Sequence, residues 1–288
     1  MPAATRIAFR ARAGKADKTI AGAGFRGAGI GKGSRMARWI AGLDGCRGAW
    51  AGALIDRDDP ARHRCALFPD VAALLDAPEQ PLIVGIDVPI GLPDRILGGG
   101  RSADRAARAR LGPARSSVFP MPPRAAVYAP DYESAKAASR AGSEPPFAPS
   151  IQGFNIFRYV RAVDTLLRER PDARDRLREV HPEVAFHALN GDRPLGLPKK
   201  GRNAQAGLAL RRTLLAAAGL PDALIAGRMR GVPEDDHLDA LAALIVARDI
   251  LDGCAVPLPA LPERDAHGLP VVIWAPGSRA GDRTPPER

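Results

Sequence analysis

Acidic side chains stand at or near the ends of apolar segments that lie far apart in this chain of 288 residues. Asp44 and Asp87 each end an apolar run, and Glu179 lies in a third. Asp236 and Asp239 are three residues apart, so a helix would place them on one face. Carboxylate oxygens are the ligands that Mg²⁺ and Mn²⁺ prefer. We predict Asp44, Asp87 and Asp239 as metal ligands, with Glu179 and Asp236 as a further ligand or a water-orienting base.

These acids also have a structural interpretation. Asp44 precedes a glycine and Asp87 precedes Val-Pro, and both patterns are typical of turns. Asp235 or Asp236 is typical of the N-cap of a helix. Asp239 is followed by seven apolar residues, and a carboxylate on a buried helix is costly unless it is paired or bound to metal. Asp239 therefore favours the metal site over the cap.

Apolar patterning predicts the elements that position these acids. The predicted strands are 39–44, 49–55, 64–68, 82–87, 177–181 and 271–274, and the predicted helices are 71–75, 155–170, 204–218 and 235–252. The dipeptide Asp44-Gly45 is expected to begin the connection between the first two strands. Residues 93–150 are rich in Pro, Gly and Arg, which predicts a lid-like insertion with short helices at 103–110 and 132–139. Together these patterns predict a single α/β domain over residues 38–275.

The net charge of +10 lies mostly at the N-terminus, where residues 1–38 hold nine Arg or Lys and one Asp. Residues 1–37 contain few large apolar side chains, so we predict a disordered basic leader. Residues 276–288 are predicted to be a flexible tail. The rest of the chain is nearly neutral, so a surface for nucleic acid must be local or lie in the leader.

The cysteines indicate the compartment. Cys46, Cys65 and Cys254 form neither a C-x-x-C pair nor a disulfide framework, which favours the reducing cytoplasm. No apolar run approaches the ~20 residues of a membrane span, and no apolar signal segment begins the chain. We therefore expect a cytoplasmic protein with no membrane partner. The oligomeric state leaves no signal in the sequence.

Six further residues are predicted to bind substrate because they bring cations, hydroxyls or an imidazole to polar segments. They are Arg115, Ser116, Ser117, His181, Lys199 and Lys200. Cations and hydroxyls in such loops hold phosphate, although a solvated loop is the alternative. A zinc deaminase would need cysteine ligands beside the histidine, and these are absent, so His181 is expected to be structural or substrate-facing.

Five motifs occur in order between Trp39 and Trp274. They are GLDGCRG (42–48), IDVPIGLP (86–93), RSSVF (115–119), EVHPE (179–183) and DDHLDA (235–240). They resemble the domain-of-unknown-function family 429, which is described as predicted nucleases with a ribonuclease H-like fold. The resemblance implies a mixed five-stranded sheet flanked by helices.

The same resemblance implies acidic site positions, which fall on Asp44, Asp87, Glu179, Asp236 and Asp239. The last pair also resembles the acidic helix of Holliday-junction resolvases. Either Glu179 or Glu183 fits the acid of the fourth motif, and the sequence leaves that choice open.

The chemistry that we predict is hydrolysis of phosphodiester bonds in DNA or RNA by a metal-dependent nuclease that uses Mg²⁺ or Mn²⁺. One alternative is a Mg-nucleotide-dependent phosphotransferase or ATPase, in which Asp44 and Asp87 serve the nucleotide. Gly45 and Gly48 fit the glycine-rich phosphate loops of that alternative only weakly. A second alternative is a binding module that keeps the fold without turnover.

Overall fold

The computed structural model describes residues 37–277. The predicted leader up to residue 36 and the tail from residue 278 onward lie outside the described residues. The strands are β1 (Trp39–Cys46), β2 (Ala49–Asp56), β3 (His63–Phe68), β4 (Ile83–Ile86), β5 (Ile96–Leu97), β6 (Ser143–Glu144), β7 (Leu177–Glu179), β8 (Val256–Arg264) and β9 (Pro270–Ala275). The helices are α1 (Val71–Leu75), α2 (Ser102–Leu111), α3 (Arg124–Val127), α4 (Tyr132–Ala141), α5 (Ile151–Glu169), α6 (Pro171–Arg176), α7 (Pro182–Leu189), α8 (Ala204–Ala217), α9 (Asp222–Ile225) and α10 (Glu234–Leu251). No helix within 37–277 is long and apolar enough to cross a membrane.

The central sheet has five strands in the order β3-β2-β1-β4-β7. The first three strands in the chain pair antiparallel, whereas β1 with β4 and β4 with β7 are parallel. The mixed five-stranded sheet flanked by helices is therefore confirmed. Because β1, β4 and β7 run in one direction, their C-terminal ends share one edge of the sheet, where α/β folds commonly bind ligands.

Helices cover the two faces of the sheet. On one face α5 packs Phe157 and Val160 against a core that includes Leu43 and Ile86. On the other face α10 packs against a core that includes Ile40, with α7 and α8 on its outer side. This position explains why α10 is apolar nearly all round, whereas α5 is amphipathic.

Two glycines let α10 lie close against the sheet. Gly42 and Gly85 are register neighbours on β1 and β4. A Cβ on Gly42 would overlap the carbonyl oxygen of Ala240, and a Cβ on Gly85 would overlap that of Ala243. The helix backbone thus approaches both strands, which brings Asp239 to the sheet edge.

The turn between β1 and β2 differs from the prediction. Asp44 and Gly45 lie within β1, where Asp44 pairs with Ala51, so the prediction that they begin the connection is wrong. The turn is Arg47-Gly48, with φ of 47° and 88°. Two-residue hairpin turns favour positive φ at both positions because this matches the twist of the strands. Asp44 is consequently a strand residue and not a turn residue.

Other boundaries follow from caps and prolines. Helix α5 begins four residues before its predicted start, because the Ser150 hydroxyl accepts a hydrogen bond from the Gly153 amide at 3.0 Å. Helix α7 was not predicted, and it begins with Pro182 at its first position. Strand β8 was missed as well, since its prolines and exposed residues resemble a loop. Residues 93–150 contain α2, α3 and α4, and α2 packs against β8 and β9.

Candidate functional site

A cavity of ≈ 480 Å³ opens at the C-terminal edge of β1 and β4. Asp44 and Asp87 line it together with Glu183 and Lys199. Apolar and aromatic side chains from α5 and from the segment after α2 form another part of its wall. They are Val118, Phe119, Met121, Ile156 and Tyr159. The cavity therefore combines charged groups with an apolar wall.

Three carboxylates from three elements meet beside this cavity, and we call Asp44, Asp87 and Asp239 the acid set. Burial, followed by repulsion from Asp87 and Asp239, raises the pKa of Asp44 well above its usual range. Burial and the charge of Asp239 raise the pKa of Asp87 to about 8. Their repulsion shows that the three side chains share one region of low polarity, which is unfavourable without a cation.

Lys199 supplies a cation to this region. Its Nζ donates to Asp239 Oδ2 at 2.6 Å and lies 3.2 Å from Glu183 Oε1. Burial alone would lower the pKa of Lys199, but Asp239 and Glu183 outweigh it and raise that pKa. Lys199 lines the cavity and Asp239 does not, so the lysine stands between the two. The second oxygen of Asp239, Oδ1, is buried without a hydrogen-bond partner.

The structure corrects the interpretation of Asp235 or Asp236 as the N-cap residue of α10. Pro233 is the N-cap residue and the helix begins at Glu234, so Asp235 and Asp236 lie inside the first turn. Neither is the cap, although both benefit from the positive end of the helix dipole.

Asp236 lies apart from the cavity. Its carboxylate accepts a hydrogen bond from the Cys46 thiol, and burial raises the pKa of Asp236. Burial and this carboxylate together raise the pKa of Cys46 to about 11. Asp235 pairs with the largely exposed Lys200 at 3.0 Å. Asp236 contributes repulsion to Asp44 but does not line the cavity.

Glu179 lines the same cavity as Asp44 and Asp87, together with Arg101 and Asp104, but it is paired differently from the acid set. Glu179 pairs in register with Ile86, whose side chain packs on the α5 face of the sheet. Arg101 binds both oxygens of Glu179 at 2.7 and 3.0 Å, and the Ile90 amide donates to it at 2.7 Å. Arg101 also pairs with Asp104 at 2.6 Å. Glu179 therefore lies on the α5 side of the cavity, where these partners satisfy its hydrogen bonding.

Glu183 is the acid of the EVHPE motif that reaches Lys199. Arg211 also binds it, at 2.8 and 3.0 Å through one guanidinium nitrogen. Burial would raise the pKa of Glu183, but Lys199 and Arg211 lower it overall. Both glutamates of the motif line the cavity, so the structure leaves Glu179 and Glu183 as site acids with different partners.

The remaining predicted binding residues divide by position. His181 and Ser117 line the cavity, and His181 Nε2 lies 3.2 Å from the Ser117 carbonyl oxygen. Burial and the charge of Lys199 lower the pKa of His181 to about 4, so its ring is neutral at pH 7. Lys200 lines the cavity from its exposed side, whereas Arg115 and Ser116 are exposed and do not line it.

Sequence reasoning missed several residues of the site. Arg101 fixes Glu179, and no pattern singled it out. Tyr159 lines the cavity, and its hydroxyl accepts a hydrogen bond from the Gly48 amide at 2.8 Å. Phe119 belongs to the RSSVF motif, of which only the arginine and the two serines were predicted to bind substrate. Tyr159 follows Ile156 by three residues and so shares its helix face, but spacing alone does not reveal a cavity.

The acid set fits a hard cation in its chemistry. Its donors are all carboxylates, they repel one another, and Asp239 Oδ1 has no partner. Within residues 37–277, however, no three His, Cys, Asp or Glu side chains form a ready metal-binding cluster. In the observed arrangement the ammonium of Lys199 is the cation that faces Asp239.

The comparisons with known proteins identify the family. The model of DUF429, described as a protein of unknown function, matches residues 42–264, which is well over half of the chain. Neither the curated proteins nor the solved structures contain a match to the chain. On the strength of the family match, the chain belongs to the DUF429 family.

Proposed function

We propose that this protein is a metal-dependent phosphodiesterase that cleaves nucleic acid on a ribonuclease H-like scaffold. The strand order and the antiparallel β1-β2-β3 unit followed by parallel β4 and β7 support that scaffold. The acids at the shared edge of β1 and β4, together with the first turns of α10, support the site. Nucleic acid is the proposed partner because the cavity also presents Lys199 and Lys200 to an anion.

One observation carries the proposal. Asp44, Asp87 and Asp239 come from three separate elements, are recessed from solvent, and are each held at a raised pKa. A protein that used these carboxylates only for structure would satisfy all their oxygens, as it does for Glu179, whereas Asp239 Oδ1 has no hydrogen-bond partner. Carboxylates that are kept close and under-neutralised are suited to a divalent cation.

The residues have distinct roles in hydrolysis. Asp44, Asp87 and Asp239 would hold Mg²⁺ or Mn²⁺, which would polarise the phosphoryl group and neutralise developing charge. Lys199 lines the cavity, and its ammonium, which pairs with Asp239 and Glu183, would also attract a substrate phosphate. In the overall reaction water adds to phosphorus, the ester P–O bond breaks, and the departing oxygen takes up a proton. His181, neutral at pH 7, is available to accept a hydrogen bond in the cavity wall.

The test is hydrolysis of labelled DNA and RNA oligonucleotides with Mn²⁺, Mg²⁺ or EDTA. We expect cleavage with metal, none with EDTA, and a loss of at least about 100-fold in Asp44→Asn, the scale of one electrostatic contact to the reacting group. Asp76→Asn changes an exposed carboxylate outside the cavity and is the matched control. Full activity of Asp44→Asn would refute the proposal.

A binding module without turnover is the second candidate, and Lys199 favours it. Its ammonium already neutralises Asp239 and Glu183, so a stable arrangement exists without metal. This candidate predicts that Mn²⁺ changes neither the melting temperature nor the activity. A metal-dependent rise in melting temperature that disappears in Asp44→Asn would exclude it.

A further inference from the structure

The size of the cavity limits what reaches the acid set. Its ≈ 480 Å³ falls within the ~300–1,000 Å³ of sites that hold one small molecule. Asp44 is only 8% exposed and lies near the C-terminal end of β1, so a phosphate must enter the cavity to approach it. A long nucleic acid therefore has to present a single unit to this site.

One part of the cavity wall is aromatic. Phe119 is 41% exposed although it is a large apolar side chain, and it lines the cavity. Tyr159 lines it too and is held in place by the hydrogen bond from Gly48 and by an edge contact with Trp50 at 5.2 Å between ring centroids. The wall thus has one ring fixed by its neighbours and one ring with a free surface.

A nucleobase has the shape and surface that this wall accepts. Bases stack on aromatic side chains without strong sequence preference. Inside a duplex the bases are already stacked, and a base enters a protein pocket only when it leaves the stack. The phosphate of the same nucleotide would then lie toward the charged part of the cavity, where Asp44, Asp87 and Lys199 stand.

We propose that the substrate of this site is one unpaired nucleotide of a single strand, with its base against Phe119 and Tyr159. This assignment rests on the proposed phosphodiesterase function. It excludes intact duplex as a direct substrate. It also makes Phe119 a specificity-determining residue, because the ring contacts the base and not the reacting phosphate.

The experiment compares two esters that share a leaving group. One is the p-nitrophenyl ester of thymidine 5′-monophosphate, and the other is methyl p-nitrophenyl phosphate, which has no base. With Mn²⁺, we expect Phe119→Ala to raise KM for the nucleotide ester roughly tenfold, the scale of one base–aromatic stack, and to leave the methyl ester unchanged. Phe119→Trp keeps a ring and should restore the wild-type KM. Leu261→Ala removes a 91% exposed leucine from β8, outside the cavity, and should change neither ester.

A second arm compares a single-stranded oligonucleotide with the same sequence in a blunt duplex, and we expect a kcat/KM at least tenfold higher for the single strand. Cleavage of both esters with no selective effect of Phe119→Ala, or equal cleavage of single strand and duplex, would overturn the substrate assignment while the phosphodiesterase function stands. If neither ester nor either oligonucleotide is hydrolysed, the phosphodiesterase function and the assignment fail together.

Discussion

The two faces of the sheet treat buried carboxylates in opposite ways. On the α5 face, Glu179 and Asp104 share the guanidinium of Arg101, and backbone amides complete their hydrogen bonding. On the α10 face, the acid set has Lys199 as its close cation and leaves Asp239 Oδ1 without a partner.

The difference separates two uses of the same residue type. A buried ion pair needs complete hydrogen bonding to offset the desolvation of its charges, so its carboxylate oxygens are already engaged by protein partners. A group of acids that lacks enough partners is destabilising by itself and becomes favourable when a cation binds. Members of both groups line one cavity, but the Arg101 cluster joins the insertion to the sheet, whereas the acid set is left short of partners.

The largest expected effect comes from removing Arg101, the cation that pairs with Glu179 and Asp104. Arg101→Met leaves Glu179 and Asp104 buried without their cation and should cost about 3–5 kcal/mol of stability. Urea unfolding measures this loss. Arg170 also lies between two acids, Asp76 and Asp172, but at the surface, so Arg170→Met is the matched control and should have little effect. Equal losses in the two variants would contradict the distinction between the faces.

The next prediction concerns the close approach of α10 to strand β1. Gly42→Ala places a Cβ against the Ala240 carbonyl, so the helix must move away from β1. We expect a loss of about 3 kcal/mol, at the upper end of overpacking costs, with weaker metal binding because Asp239 moves with the helix. Thermal unfolding and Mn²⁺ titration together test this. Gly253→Ala adds a Cβ in open space and controls for the substitution, although its positive φ carries a small strain of its own.

Neighbouring lysines provide a finer comparison on the α10 face. Lys199→Met removes the hydrogen-bonded cation from Asp239 and should cost about 2 kcal/mol in metal-free protein. Lys200→Met removes an exposed pair with Asp235 and should cost less than about 1 kcal/mol. Because Mn²⁺ would replace the missing charge, its stabilising effect should be larger in Lys199→Met than in the wild type. A smaller effect of Mn²⁺ in that variant would show that the lysine and the metal do not share the acids.

A further expected effect is a pH dependence of stability. The pKa of Asp87 is about 8 in the folded protein and about 4 in the unfolded chain, so the folded state binds the extra proton. Metal-free protein should lose part of its stability as pH rises from about 4 to about 8. Asp87→Asn should flatten this part of the profile of melting temperature against pH. A profile that stays unchanged in the variant would mean that Asp87 is ionised throughout.

Much of the fold was predictable from local patterns. Continuous apolar runs marked β1, β2 and β4, and the apolar segment after Asp239 marked α10. The boundaries that were missed depended on single side chains, such as the Ser150 cap of α5. Strand β8 was missed because prolines interrupt it and most of its residues are exposed.

The residue types of the site were predictable from the sequence, but the partner of each site residue was not. Strand ends indicated Asp44 and Asp87, and the cost of a buried charge indicated Asp239. Glu179 was predicted with them because its strand also ends in an acid, and it does line the same cavity, but the sequence did not show that it is paired with Arg101. Register decides which face a strand residue occupies, and a shift of one residue reverses it. The partner Arg101 lies 78 residues away in the chain, and no local pattern connects the two.

Direct binding of Mn²⁺, measured by isothermal titration calorimetry, tests the central claim that the acid set is a metal site. The account predicts binding to the wild-type protein and to folded Glu179→Gln, and no binding to Asp44→Asn. Equal binding to Asp44→Asn, or no binding to the wild type, would contradict it.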